Sequence, residues 1–252
     1  CHIDLTTDSQ NKIFFLGDYI DGGSESCQVL YYIKELIDNY GDDRVIVLRG
    51  NHEEMFIDWL FGMDEVLWLS QDIGLKTTKS FLSEEQIKDI TITQQSKKSS
   101  YGHLNKLTQS YIRNNHKELL SWLRKLPYCY ETDTQIYVHA GIDEEAEDLW
   151  KWGTPNEYFV GKFPAEKGHF LKDIIAGHVS TATLTGNRDF HDVYWDGKSH
   201  YYIDGDVRIS RSIPVLKYNT ENGEYTSFRK KEQSGQNYMW GEYVVNRKMK
   251  NL

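Results

Sequence analysis

Four segments of this 252-residue chain carry residue types that bind metal ions or move protons, and each follows a short apolar run. Gly17-Asp18-Tyr19-Ile20-Asp21-Gly22-Gly23 sets two carboxylates among small residues. Such a backbone can turn sharply and project Asp18 and Asp21 into a crevice at the C-terminal end of a strand. Taken alone it is a weak signal, because G-D and D-G pairs are also ordinary turn chemistry. Arg49-Gly50-Asn51-His52-Glu53-Glu54 follows the next apolar run and opens a helix. Its polar groups would meet an electropositive helix N-terminus, a natural seat for phosphate. Capping accounts for part of this segment, with Asn51 as the cap and Glu54 completing a capping box. It does not account for Arg49 and His52 together. His139, in Val138-His139-Ala140-Gly141, and His178, in Ala176-Gly177-His178, each stand just beyond an apolar run. One such histidine is commonly a hydrogen-bonded structural residue. Two at equivalent strand ends, in a chain that also offers the first two segments, point to a shared centre. Neutral imidazole with carboxylate or amide oxygen suits manganese, iron or zinc at a hydrolytic site. A fifth segment, Ile203-Asp204-Gly205-Asp206, reads equally well as a turn leaving a strand.

The elements that must position these groups are legible as short β-rich runs at residues 12–16, 44–48, 135–138, 173–176 and 201–203. Continuous apolar runs of that length suit strands buried on both faces. Between the first two, Leu30, Ile33, Leu36, Ile37 and Tyr40 recur at helical spacing, with Ser24 as the expected N-cap and Gly41 as the stop. Strand, helix, strand in that order implies a parallel pair with a right-handed crossover. A second helix is expected over residues 53–61. From 62 to 126 the pattern is mainly helical, clearest over 111–126 and interrupted by an exposed polar loop at 93–100. This region reads as a helical insertion at the rim of the site. Residues 209–218 and 224–229, separated by a turn-rich group, predict a closing hairpin. The expected class is α/β.

Composition narrows the function. With 39% hydrophobic and 27% charged residues the chain is an ordinary globule, long enough for a sizeable core. A net charge of −9 argues against a nucleic-acid surface, which needs clustered lysine and arginine to displace counterions. The locally basic stretch at 228–252 reads as a solvated tail. Three widely spaced cysteines, Cys1, Cys27 and Cys129, fit free thiols in a reducing compartment, so a cytoplasmic location is expected. No apolar run is long enough to span a bilayer, so no membrane partner is expected. Beginning at Cys rather than Met suggests an N-terminally incomplete fragment.

In order, G-D-x-x-D, R-G-N-H-E, H-A-G and G-H resemble the calcineurin-like metallophosphoesterases. The likeness is nearest to PPP-type serine/threonine phosphatases of bacteria and phages and to their relatives that cut diadenosine tetraphosphate symmetrically. It runs from Lys12 to about Asp206, and R-G-N-H-E is its most specific part. It implies a four-layer αββα sandwich, one catalytic domain over residues 1–252, and two divalent metal ions, manganese first with iron or zinc as alternatives. It further implies that Asp18 bridges both ions while Asn51, His139 and His178 complete one shell. His52 would be the general acid, oriented by Asp21, and Arg49 would clamp the phosphoryl oxygens. A hydroxide held between the metals would attack phosphorus in line. The expected substrate is a phosphate monoester, on phosphoserine or phosphothreonine of a protein or on a small molecule.

The chain also departs from the family pattern. The Asp-x-His motif that supplies the rest of the first shell normally lies a helix-length upstream of G-D-x-x-D, and Cys1-His2-Ile3-Asp4 has the wrong order and spacing. The simplest account places that motif upstream of Cys1. Gly22 stands where the protein phosphatases carry arginine, and in Leu149-Trp150-Lys151-Trp152 a tryptophan replaces a second one. Lys151 is the available substitute, although a point charge does not reproduce a bidentate contact. Two rivals follow. One is a diadenosine polyphosphate or nucleotide hydrolase, for which Trp59, Trp68, Tyr101 and Trp122 could supply a stacking platform, with core packing as their ordinary reading. The other is a pseudoenzyme or metal-binding module, motivated by the missing motif and by Gly22.

Overall fold

A computed structural model describes residues 5, 10–62, 66–95, 100–232 and 238–247. The segment Cys1-His2-Ile3-Asp4, the centre of the polar loop at 96–99 and the chain's end at 248–252 lie outside the described residues. The chain is mixed α/β and divides into two compact units, Lys12–Pro127 and Cys1–Asn11 with Tyr128–Leu252.

In the first unit, strand β1 (Ile13–Phe15) leads through helix α1 (Ser26–Tyr40) to strand β2 (Val45–Val47). The two strands pair in parallel, Ile13 opposite Val45 and Phe15 opposite Val47, as the strand–helix–strand order requires. β2 is buried throughout, but β1 is only half-buried. The α1 start differs from expectation: Glu25, not Ser24, holds the N-cap position, and no side chain caps it. Gly41 takes φ 88° at the far end, the left-handed conformation that a glycine adopts without a Cβ penalty.

Helix α2 (Asn51–Phe61) follows β2, and then come α3 (Val66–Gln71), α4 (Lys76–Ser80), α5 (Glu84–Gln95), α6 (Tyr101–Asn115) and α7 (Lys117–Leu123). The expected helix over 111–126 is in fact the end of α6 and all of α7, broken at His116, whose φ of −122° leaves the helical range. Trp59 and Trp68 are fully buried beside Phe56 and Phe81, with ring centroids 4.9 Å from Phe56 to each of Trp68 and Phe81. Each such ring contributes roughly 2–3 kcal/mol by leaving water. Neither tryptophan has a face to offer a base, and their role is packing; of the other two stacking candidates, Tyr101 is exposed and Trp122 half-buried.

The second unit is built on a five-stranded sheet of order β3-β4-β5-β7-β6. Its strands are β3 (Cys129–Glu131), β4 (Gln135–Val138), β5 (Asp173–Ala176), β6 (Tyr194–Trp195) and β7 (His200–Tyr202). β4, β5 and β7 are mutually parallel and fully buried, which explains their unbroken apolar text. Short helices α8 (Trp150–Gly153), α9 (Asn156–Gly161), α10 (Thr181–Thr185) and α11 (Val207–Ser210) join these strands or follow them. Ile136, Val138, Ile174, Ala176, Trp150 and Phe159 form the centre of this core. A second sheet of order β10-β9-β8 contains β8 (Leu216–Asn219), β9 (Glu224–Glu232) and β10 (Tyr238–Arg247). The expected hairpin is present as β8 and β9, although Ile209 belongs to α11. The basic stretch is not a solvated tail up to Arg247: β9 and β10 pair antiparallel there. Among the described residues, no helix is long and apolar enough to cross a membrane.

Candidate metal centre

In the first unit the two loops that follow β1 and β2 are held against each other. Asp18 and Asp21 have φ of 58° and 74°, a conformation that non-glycine residues adopt rarely and that aspartate tolerates best. Glu53 maintains it. Its fully buried carboxylate accepts the backbone N–H groups of Asp18 (2.8 Å), Tyr19 (2.8 Å) and Gly50 (2.9 Å). Only half of the expected capping box forms, shifted by one residue: Gly50 is the cap and has no side chain to offer, Asn51 is the first helical residue, and Glu53 rather than Glu54 reaches back. Gly50 is required on space. A Cβ there would stand 2.4 Å from both the backbone nitrogen and Oδ1 of Asp18. The Tyr19 hydroxyl braces the same place, accepting from Gly17 N (2.8 Å) within reach of the carbonyls of Phe15 (2.9 Å) and Leu48 (2.7 Å). Asp21 N donates to Thr77 Oγ1 at 3.0 Å, and Asp72 accepts the N–H groups of Thr77 and Thr78. Glu53, Tyr19 and Thr77 thus build the site without having been named among its candidates. A buried acid three places after a helix cap was the available signal for Glu53.

His52 projects from the first turn of α2. Its Nδ1 lies 3.1 Å from Asp21 Oδ2, its Nε2 is 4.0 Å from Asp18 Oδ2, and its backbone N–H donates to Asp18 Oδ1 at 3.3 Å. Burial alone would lower its pKa, but the Asp21 bond and the charges of Asp18, Asp21 and Glu53 outweigh it and raise the value. Arg49 is buried, with Nη1 on Glu54 Oε2 (2.7 Å) and Nη2 on the carbonyl of Arg124 (2.6 Å).

In the second unit the register of β4 and β5 sets the two histidines side by side. Tyr137 lies opposite Ile175, and Gly177 N donates to the His139 carbonyl at 2.8 Å. His178 turns out of the strand at φ 63°. The two imidazoles meet edge to face with centroids 5.2 Å apart, close enough for both to ligate one ion at the usual nitrogen distance of about 2 Å. The nitrogen donors of this unit, like the carboxylate and amide oxygens that Asp18 and Asn51 offer in the first unit, are ligand types that suit manganese, iron or zinc. The fifth segment is a turn: Asp206 N donates to Asp204 Oδ1, and Asp206 opens α11. Lys151 pairs with Glu131 at 3.2 Å, and Trp152 is 89% exposed.

A family model described as calcineurin-like phosphoesterase matches residues 4–209. A Caenorhabditis elegans protein named as a serine/threonine-protein phosphatase is 36% identical over 66 residues, which is 26% of this chain and 18% of that protein. A symmetrical bis(5'-nucleosyl)-tetraphosphatase of Vibrio parahaemolyticus is 27% identical over 135 residues, covering 54% of this chain and 35% of its own. The matched stretches thus span about a third or less of either relative.

Proposed function

Because the chain belongs to the calcineurin-like phosphoesterase family, we propose that it hydrolyses phosphate monoesters with two divalent metal ions, manganese first. The reading carries with it the family's four-layer αββα sandwich as one catalytic domain, with the helices from α3 to α7 as its insertion. In it Asp18 would serve both ions, and Asn51, His139 and His178 would complete one shell. The observation that carries it is the His52–Asp21 pair, 3.1 Å long, at the mouth of a helix and beside the Asp18 carboxylate.

When bound, the ions supply Lewis-acid polarisation of the phosphoryl group and lower the pKa of water. The protein's own groups do the rest. Asp21 holds Nδ1 of His52 and favours the imidazolium, which leaves the proton on Nε2 for the departing oxygen. The α2 N-terminus favours the negative charge of the phosphoryl group. Arg49 would clamp that group once its guanidinium gives up a present bond such as that to Glu54 or to the Arg124 carbonyl. Gly22 and Trp152, where the protein phosphatases carry arginines, weaken the case for a phosphoprotein over a small phosphorylated molecule. Cytoplasmic location belongs to the same reading, with Cys27 and Cys129 free and burial pushing the Cys27 thiol up to about 11.

The second reading, hydrolysis of a dinucleoside polyphosphate, draws on the Vibrio relative's name. Burial of Trp59 and Trp68 leaves Tyr101 and Trp122 as its remaining stacking candidates. The test is hydrolysis of p-nitrophenyl phosphate, a phosphoserine peptide and diadenosine tetraphosphate by the full-length protein in manganese, beside His52→Ala. Manganese-dependent release of phosphate from the monoesters is expected. His52→Ala should lose about 10²–10⁴-fold on the peptide, whose alkoxide needs a proton, and less on p-nitrophenyl phosphate, whose leaving group does not. Preference for the dinucleotide would establish the second reading. Inactivity on all three would leave a metal-binding module.

A further inference from the structure

The junction of α6 and α7 carries a cationic face with no function in the site just described. Lys117, Leu120, Ser121, Arg124 and Lys125 follow one another at helical spacing on α7 and just past its end, with Arg113 a turn earlier on α6. α2 delivers Phe61 to the same place, and these residues line a groove of about 480 Å3. That volume falls within the usual range of ligand sites, roughly 300–1,000 Å3.

The wall is built. The Arg124 guanidinium lies 4.4 Å above the Phe61 ring, and Arg113 donates to the Leu60 carbonyl in the last turn of α2. No ion pair among the described residues employs Arg113, Lys117, Arg124 or Lys125. The chain has 38 acidic residues against 29 basic ones, so carboxylates to neutralise this face were plentiful. Four like charges gathered around an apolar ring repel one another until an anion joins them.

We propose that this groove binds an acidic polypeptide segment. Its carboxylates would meet Lys117, Arg124 and Lys125, and an apolar side chain would rest on Phe61, which is 40% exposed. A peptide fits better than a nucleic acid. The cations cover only two to three helical turns on a chain of net charge −9, too few to displace the counterions of an extended phosphate backbone.

The experiment titrates the full-length protein with a fluorescently labelled glutamate-rich peptide carrying one leucine, read by anisotropy. Saturable binding is expected, weakening on going from about 50 to about 200 mM salt as charge pairs are screened. A glutamine-rich control should not bind. Lys117→Glu with Lys125→Glu should weaken binding at least about tenfold by converting attraction to repulsion. Both side chains are exposed, so unchanged melting and unchanged p-nitrophenyl phosphate hydrolysis are expected of this variant. The wild-type comparison of the two peptides stands even if the variant misfolds. Failure of the acidic peptide to bind, equal binding by the variant, or tighter binding of an oligonucleotide of equal charge would overturn the proposal. None of these outcomes bears on the phosphoesterase reading.

Discussion

Glu53 offers a prediction whose magnitude follows from the hydrogen bonds around it. Its Oε2 accepts from Asp18 N and Gly50 N, and its Oε1 accepts from Tyr19 N, all within 2.9 Å, and Glu53 itself is fully buried. Glu53→Gln keeps one oxygen. Oriented to serve Asp18 and Gly50, the amide must turn its NH2 toward the Tyr19 N–H, so one charge-assisted bond is lost and a donor faces a donor. That costs about 1.5–3 kcal/mol. Glu53→Ala strands one buried and two part-buried donors at about 1–3 kcal/mol each, less whatever water and loop relaxation recover, and a loss of about 3–6 kcal/mol is expected. Urea unfolding in a chelator, followed by circular dichroism, measures both without interference from metal binding. The ordering wild type, glutamine, alanine is required. Manganese affinity should fall in the same order, because the strained backbone that presents the Asp18 carboxylate depends on this anchor. A glutamine variant within about 0.5 kcal/mol of wild type would refute the argument that Glu53 locks the two loops.

Gly50→Ala should cost about 1–3 kcal/mol of stability and most of the activity, since the added Cβ would stand 2.4 Å from Asp18 N and Oδ1; unchanged melting would show that the loops part freely. In the second unit His200 is fully buried between Glu144 (2.9 Å) and Asp196 (3.0 Å). Burial alone would lower its pKa, but Glu144 and then Asp196 outweigh that and raise it. Burial would raise Asp196, but the N–H groups of Gly168, His200 and Lys198 bring it down; Glu144 is lowered through His200 and Lys162 against the same opposition, with Glu166 raised beside it. The stability contributed by His200 is complete below the ordinary imidazole pKa of about 6.5 and is lost as pH rises through the higher folded value. The urea midpoint should fall as pH rises above the ordinary imidazole value of about 6.5, and His200→Gln should flatten that slope. A slope unchanged in the variant would assign it to another group.

The strand ends were the most legible part of the chain. Buried parallel strands read as unbroken apolar text, and the glycine-flanked turns beyond them announce where Asp18, Asn51, His139 and His178 must lie. What lay hidden depends on partners far off in sequence. Glu53 reaches 34 and 35 residues back to Tyr19 and Asp18, and Thr77 supports Asp21 across 56. Local pattern shows neither, and capping logic pointed to Glu54 because it placed the cap on Asn51 instead of Gly50. The break at His116 was missed because apolar spacing continues through it into α7. The end of β9 and the whole of β10 read as a tail because lysines and arginines dominate the composition of that stretch and mask the β-rich residues of 238–247.

The central claim is that Asp18 holds metal for phosphate-ester hydrolysis, and one paired measurement tests it most directly. Manganese bound per chain and turnover of p-nitrophenyl phosphate are to be determined on the same samples of the full-length protein and its Asp18→Ala variant. The account predicts that metal and activity are lost together. An Asp18→Ala protein that keeps its manganese stoichiometry, or its turnover, would contradict it.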